Sequence, residues 1–478
     1  MDKNTNTLNW PVRIAYGAGD FYGGASITII SLLYLFFLTN VIGLQPILAG
    51  TVMLIGRVVD GTIDPFLGLL TDRTRTRWGR RSPYFLWMAL PVAVVYVLLW
   101  TPLSLASQTA LFAWCTLTYV LSVITFSAVM TPYAALAPEL TPHYDERTVL
   151  VNTRMAFSII GALFGAVLPK MIVDVFGDNP GRGYPVMALG FGVVFAGIWL
   201  MMFFVMKGRE QLCQRSESAE ILMALRSVFS NRSFMALIGI YLFSFITNDI
   251  LSANFIYFLT FYLLKDGLFT PIMGALLVSA ALSLPVYIQL SRRLSKRGAY
   301  FIGAGYWVVV LASLFLLGPH TPVALILAIA VLLGLGMGIS YAIPWAMLPE
   351  VVDVDEVVSG QRQEGVYAGI MTFLRQVSSS VAVFGIGAIL QFTGYNAELT
   401  IQPPQAVSAI RLINTLIPIG MVGLGLVCCW LFPVTRENFA IIRDYLDKKR
   451  RQESLTGDEK ARLRQVIATV HGAKIELE

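Results

Sequence analysis

The stretch IGRVVDGTIDPFLGLL, residues 55–70, sets two carboxylates and a guanidinium inside an apolar run. Arg57, Asp60 and Asp64 stand at i, i+3 and i+7, so a helix projects all three from one face. Burying a charge in hydrocarbon costs at least ~2.5 kcal/mol per residue, so such groups ordinarily face a cavity or an ion path. Carboxylate oxygens suit hard cations, and a proton can occupy the same pair. One arginine cannot neutralise both acids, which leaves a net negative site for a cation such as Na+ or H+. The competing reading is an Arg57–Asp60 ion pair that only ties helices together. Asp249, within SFITNDILSANFIYF, is a second acid in an apolar run. It reads either as a solute ligand or protonatable group, or as an interhelical hydrogen-bond partner of Arg375 or Asn248. Asn254, further along that helix, is expected to face as Asp249 does and to join a polar cavity, and Tyr16, Tyr34, Tyr133, Tyr341 and Trp345 offer ring faces to a solute or to packing.

Holding such groups requires long apolar helices, and the chain supplies them. Of its 478 residues 56% are hydrophobic and only 13% charged, against about a quarter charged in soluble domains. Runs of roughly 20 apolar residues, enough for a hydrocarbon core of about 30 Å, recur throughout. They fall near 13–39, 46–71, 83–103, 108–135, 150–175, 184–206, 234–264, 269–291, 299–317, 322–348, 365–391 and 408–432. The expected fold is an all-α polytopic membrane protein with 12 transmembrane helices. Its parts are a six-helix bundle over 1–206, a central loop over 207–233, a second six-helix bundle over 234–432 and a tail over 433–478.

The net charge of +6 is concentrated in connecting segments. Arg73, Arg75, Arg77, Arg80 and Arg81 follow span 2, Arg292, Arg293, Lys296 and Arg297 follow span 8, and Lys448 to Arg451 lie in the tail, while the opposite loops hold little beyond Arg182 and Lys265. That asymmetry puts both termini in the cytoplasm and argues for membrane topology over nucleic-acid binding. The basic loops after the second helix of each half hint at a duplicated unit, a pattern of secondary transporters with a midplane site. The polar N-terminus leads into span 1 with no cleavage signal, so span 1 is expected to stay in the mature protein. The tail reads as a charged amphipathic helix, a solvated extension or one that touches headgroups. Cys115, Cys213, Cys428 and Cys429 have no disulfide or zinc spacing, and His143, His320 and His471 are remote from one another. No nucleophile elbow, phosphate loop or zinc-protease motif is present, so no cofactor and no enzymatic activity are expected.

These motifs carry a resemblance. AYGAGDFYGG (15–24), TNVIGL (39–44), GRVVDGTIDP with RTRWGRRSPY (75–84), TPYAALAPELT (131–141) with Arg154, LPEVVDVDE (348–356) and QEGVYAGIMTFLRQ (363–376) are similar to stretches of the glycoside–pentoside–hexuronide:cation symporters, a family of the major facilitator superfamily. The resemblance implies a bacterial inner-membrane symporter whose partners are a small solute, a monovalent cation and the lipid bilayer, with no obligate protein partner. By motif position the coupling cation falls to Asp60, Asp64 and Thr372, and a cytoplasmic gate to Arg77, Arg80 and Arg81, with Arg147, Asp353 and Glu356 in loops on the same side. Candidate solute contacts are Tyr16, Asp20, Asp249, Asn254, Trp345 and Gln376; Arg57, Arg154 and Arg375 are expected in structural ion pairs. The resemblance also marks a departure: its sugar-gripping carboxylates fall on Gly24 and Met130, and its span 11 lysine on Gln376. A sodium-dependent lysophospholipid carrier is therefore the rival reading, and an intramembrane acid–base enzyme a remote one.

Overall fold

Prolines and glycines punctuate this chain. The computed structural model describes residues 8–209 and 228–472 apart from 104, 106, 142, 143, 178, 452, 454 and 455; Cys213, His143 and most of the expected central loop lie outside the described residues. Helix α1 (Trp10–Ile29) starts on Pro11 and runs on through π-helical turns to Val41; α2 is Pro46–Arg73, α3 Ser82–Leu99 and α4 Gln108–Ala134. Then follow α5 (Tyr144–Asp174), α6 (Pro180–Met206), α7 (Arg232–Tyr257), α8 (Phe269–Arg293), α9 (Lys296–Ser313), α10 (Val323–Ser359) and α11 (Glu364–Phe392). Proline at the first turn of α1, α2, α3 and α6 suits helix starts, where its missing N–H has no partner to lose. Helix α12 (Pro404–Leu431) is interrupted at Thr415, since Pro418 cannot donate to the preceding turn. The short helices α13 (Arg436–Arg450) and α14 (Gly457–Val470) end the described chain. Eleven of these helices, α2 to α12, are long and apolar enough to cross a membrane, and α1 with its π-helical continuation makes the twelfth. Among the described residues the β content is a single bridge, Thr76–Gly79.

Two boundaries correct the sequence reading. The LPEVVDVDE segment is no loop: α10 passes through Pro344 and Pro349 and ends only where Gly360, at φ +73°, takes the left-handed cap and returns its N–H to Glu356 O at 3.0 Å. Asp353 and Glu356 thus sit on the last turns of a helix. Arg147 likewise stands on the first turn of α5.

The chain packs as two compact units, Met1–Arg215 with Ser252–Gly274 and Ser380–Arg411, and Ser216–Leu251 with Ala275–Ser379 and Leu412–Glu478. In the first unit the end of α1 is tied to the last residue of α7 and to the segment after α11, and α5 to the segment after α7. Thr39 and Tyr257 share a hydroxyl hydrogen bond of 2.6 Å, the Tyr395 hydroxyl donates to Asn40, and Lys170 binds Asp174 and Asp266 at 2.5 and 3.0 Å. In the second unit α13 and α14 pack on α10 with Ile442, Leu446, Leu463, Ile467 and Val470 buried. Ser233 Oγ donates to the Val470 carbonyl at 2.6 Å, and His471 Nε2 lies 3.6 Å from Asp355 Oδ1. A solvated extension is therefore the wrong description of the tail: its apolar stripe has a partner.

Candidate functional site

The α2 face forms as its spacing requires. Asp60 is buried, with Arg57 Nη1 at 3.3 Å from its Oδ2, and Asp64 is half-buried one turn further on. What the sequence did not disclose is the partner helix. Ser127 Oγ on α4 donates to Asp60 Oδ1 at 3.0 Å, and Thr131 Oγ1, one turn along α4, donates to Asp64 Oδ1 at 3.4 Å. Two carboxylates at i, i+4 therefore meet two hydroxyls at i, i+4 across the helix contact. Hydroxyl oxygens and carboxylates together make an all-oxygen donor set of the kind hard monovalent cations and protons prefer. Gly56 lets the Tyr119 ring lie against α2, where a Cβ would come within 2.2 Å of it. Beside the acid a small recess of about 40 Å³ is lined by Arg57, Asp60, Tyr22, Tyr96, Tyr119 and Ser122 among others, so Asp60 borders space enough for a small ion or a water and is no dry core group. Thr372, on α11 in the second unit, donates its hydroxyl to the Ala368 carbonyl of its own helix.

Further along the first unit, Asp20 on α1 is buried and paired to Arg154 Nε of α5 at 2.9 Å. The guanidinium lies over the Tyr133 ring at 5.0 Å, and the Tyr133 hydroxyl donates to the Tyr16 carbonyl at 2.7 Å. Tyr16, Tyr34 and Tyr133 are fully enclosed, so they pack and present no open ring face. Gly24 faces the Ser158 carbonyl of α5, and Met130 lies against Gly23.

In the second unit Asp249 on α7 faces Arg375 on α11 at 3.6 Å, with the guanidinium over the Phe245 ring at 4.6 Å. Asn248 donates to Ser340 Oγ at 2.7 Å. Asn254 is not on the Asp249 face: five residues is about 140° of helical rotation. It is fully buried, donating to the Ile410 carbonyl at 2.9 Å. Trp345 keeps 40% of its surface open, edge-on to Tyr241, and Gln376 is half-buried on α11.

The basic loop after α2 has acidic partners that sequence reading did not single out. Arg80 and Arg81 converge on the buried Glu139, Arg81 at 2.6 Å, and both reach Asp72, while Arg77 stacks on Trp78. Arg147 donates to the Thr141 carbonyl. Arg362 bridges Asp353 and Glu356 at 2.6 and 3.3 Å. The signal for Glu139 was present in TPYAALAPELT, an acid two residues before a threonine in a short turn, but nothing in a linear reading links it to arginines almost sixty positions earlier.

Comparison with known proteins agrees with this architecture. The family described as MFS/sugar transport protein matches residues 15–436. An isoprimeverose transporter of Lactiplantibacillus pentosus is 27% identical over 95% of this chain and 95% of its own length. A sodium-dependent lysophosphatidylcholine symporter of Danio rerio is 24% identical over 86% of this chain and 83% of its own. A bacterial homologue of the human lysosomal transporter Spinster, solved inward-facing and unoccupied, superimposes with a TM-score of 0.66 at 13% identity, covering 91% of this chain and 96% of that one, a likeness of fold alone.

Proposed function

Since the chain belongs to the glycoside–pentoside–hexuronide:cation symporter family of the major facilitator superfamily, we propose that it couples inward movement of Na+ or H+ at Asp60 and Asp64 to uptake of a sugar-like solute by alternating access. The observation that carries this is the oxygen ladder between α2 and α4, where Asp60 meets Ser127 and Asp64 meets Thr131. With Arg57 the guanidinium beside the pair, the ladder keeps net negative charge until a cation enters. Cation binding removes that charge, and a solute that favours the same conformation is then bound more tightly, a coupling that runs equally in both directions. The proposal assigns the gate to Arg77, Arg80, Arg81, Arg147, Asp353 and Glu356. It divides the chain into bundles 1–206 and 234–432 joined by 207–233, and places the protein in a bacterial inner membrane with both termini and the 433–478 tail cytoplasmic.

The test is uptake of a radiolabelled glycoside panel into proteoliposomes under an imposed sodium or proton gradient. Asp60→Asn and Asp64→Asn are expected to abolish gradient-driven accumulation; retention of stimulation in either would remove the ladder from the mechanism. A second reading, transport of a lysophospholipid, has its own observation, the glycine at position 24 pressed against α5 where the family's sugar ligand would stand. Adding lysophosphatidylcholine to the same panel separates the two.

A further inference from the structure

The chain repeats one turn at two places in the first unit. FLTNVIGL, residues 37–44, ends the π-helical continuation of α1, and FLTFYLLK, residues 258–265, continues α7. Each opens with Phe-Leu-Thr, and each is π-helical, over Phe37–Val41 and Phe258–Tyr262. The closing hydrogen bonds match position for position: the Ile42 N–H donates to the Phe37 carbonyl at 3.0 Å and the Leu44 N–H to that of Leu38 at 2.9 Å, while Leu263 donates to Phe258 and Lys265 to Leu259, both at 2.9 Å. Both turns close over a left-handed residue at the same place, Gly43 at φ +78° and Leu264 at φ +55°. A left-handed leucine is strained, and Leu264 is the only residue other than glycine with positive φ among the described residues. Short π-turns and strained caps persist where the surrounding structure holds them, and they gather at the working parts of proteins.

The two turns also meet. Phe36 and Tyr257 hold the same place before their turns, and their rings lie edge-on at 5.2 Å, so equivalent positions touch as they do at a two-fold axis. From that common plan the copies diverge. Thr39 shares its hydroxyl hydrogen bond with Tyr257 at 2.6 Å, and both are fully buried. Phe36 has no hydroxyl to return that bond, and Thr260 Oγ1 donates instead to Asp266 Oδ1 at 3.1 Å. The other oxygen of Asp266 accepts from Lys170, the buried lysine of α5, at 3.0 Å. Tyr395, after α11, adds a third tie through its hydroxyl to Asn40. Three polar ties thus run from the first set of six helices to the second, all within the first unit. A buried polar pair is expensive to break by removing one partner, but costs little to separate when both partners reach water together. Such a seam closes and opens as a unit.

We propose that the paired π-turns are the external latch of the transport cycle: Thr39 with Tyr257, Asn40 with Tyr395 and Lys170 with Asp266 hold the two sets of helices together on this side and part as one to admit solute. The inference rests on the transport reading above and goes beyond it by naming the residues that set how much of the time the carrier stands open outward. Their effect is on the balance between conformations. Asp174, which also binds Lys170, lies on the same helix as the lysine, so it spans no seam and is no part of the latch.

Thr39→Cys supplies the probe, a thiol on the seam in place of a hydroxyl group whose residue is 1% exposed. Its labelling by a membrane-impermeant methanethiosulfonate is followed in right-side-out and inside-out membrane vesicles carrying the full chain, with the chain lacking the substitution as background for the native cysteines. No solute or gradient is supplied. Adding Asp266→Asn is expected to raise the labelling rate in right-side-out vesicles about ten-fold, equivalent to about 1.4 kcal/mol. Adding Tyr395→Phe should raise it about three-fold, since a neutral hydroxyl bond is weaker than a charged one. Adding Asp174→Asn should leave the rate within about two-fold, because a pair within one helix, with its acid 45% exposed, contributes little. Unchanged rates in both Asp266→Asn and Tyr395→Phe, an Asp174→Asn chain that labels as fast as Asp266→Asn, or an equal gain in inside-out vesicles would overturn the proposal. If Asp266→Asn fails to fold, Tyr395→Phe and the sidedness of its gain decide. A latch that loosens in a chain without gradient-driven uptake sinks the coupling and leaves the latch, whereas unchanged labelling in a chain that does accumulate solute sinks the latch alone.

Discussion

A Cβ built on Gly24 would lie 2.1 Å from the Ser158 carbonyl oxygen, so α1 and α5 touch backbone to backbone at this point. Gly161 against Phe21 O, at 2.4 Å, and Gly165 against Ala25 O, at 2.7 Å, extend the seam along α5. The position where the family resemblance expects a sugar-gripping carboxylate is therefore a packing contact. A side chain at this position and the close approach of the two helices exclude each other, so an acid cannot be introduced here alone. Gly24→Ala is expected to destabilise the protein by about 1–3 kcal/mol, the usual cost of overpacking. Gly24→Asp should cost more and gain no sugar affinity. Thermal unfolding of the purified variants reads both effects; a wild-type midpoint for Gly24→Ala would mean that the helices part freely.

The oxygen ladder yields a prediction that discriminates between helices. A neutral hydroxyl hydrogen bond contributes about 0.5–1.5 kcal/mol net. Ser127→Ala should therefore raise the cation concentration for half-maximal uptake roughly two- to ten-fold. Thr131→Val should do less, because its contact with Asp64 is longer, 3.4 Å against 3.0 Å. The motif resemblance points to Thr372 for the same task, whereas its hydroxyl is engaged with Ala368 O. If Thr372→Ala raises the half-maximal concentration more than Ser127→Ala does, the hydroxyl ligand comes from α11.

What could be read in advance follows the range of each interaction. The α2 acids were legible because i, i+4 spacing on a helix is local geometry, and Arg57 with Asp60 needed only i, i+3. The twelve apolar helices were legible because a hydrocarbon core fixes their length. Ser127 and Thr131 were not, since each is 67 residues from its partner, although their own i, i+4 spacing on SAVMT is the mirror of the aspartates and was available to a reader looking for it. Glu139, which gathers Arg80 and Arg81, was missed for the same reason. The last turns of α10 were read as a loop because a proline and four acids there outweigh helix propensity locally, whereas the fold carries them on.

The tail gives the last prediction. Its helices bury Ile442, Leu446, Leu463, Ile467 and Val470, each a side chain whose full burial is worth about 1.5–3 kcal/mol. Ile467→Glu puts an unpaired charge into that face and should release α14, seen as rapid tryptic cleavage at Arg462 and Arg464 where the wild type resists. Equal resistance in the variant would mean that the apolar face does not hold the tail down. Protection should also depend on pH at the extremes only. The Lys448 ammonium donates to Glu459 at 2.6 Å, which with the Thr456 N–H holds that carboxyl below its ordinary value of 4.5 and, with Asp444, raises Lys448 above 10.5. A depressed carboxyl contributes stability above its ordinary value and loses it as pH falls through the folded-state value; a raised amine contributes below its ordinary value and loses it as pH rises through its own. Tryptic resistance, assayed by brief incubation at each pH and digestion at one common pH after a rapid jump, should be flat between 4.5 and 10.5 and decline outside. A midpoint near neutrality would exclude the Lys448–Glu459 pair as the source of the pH dependence.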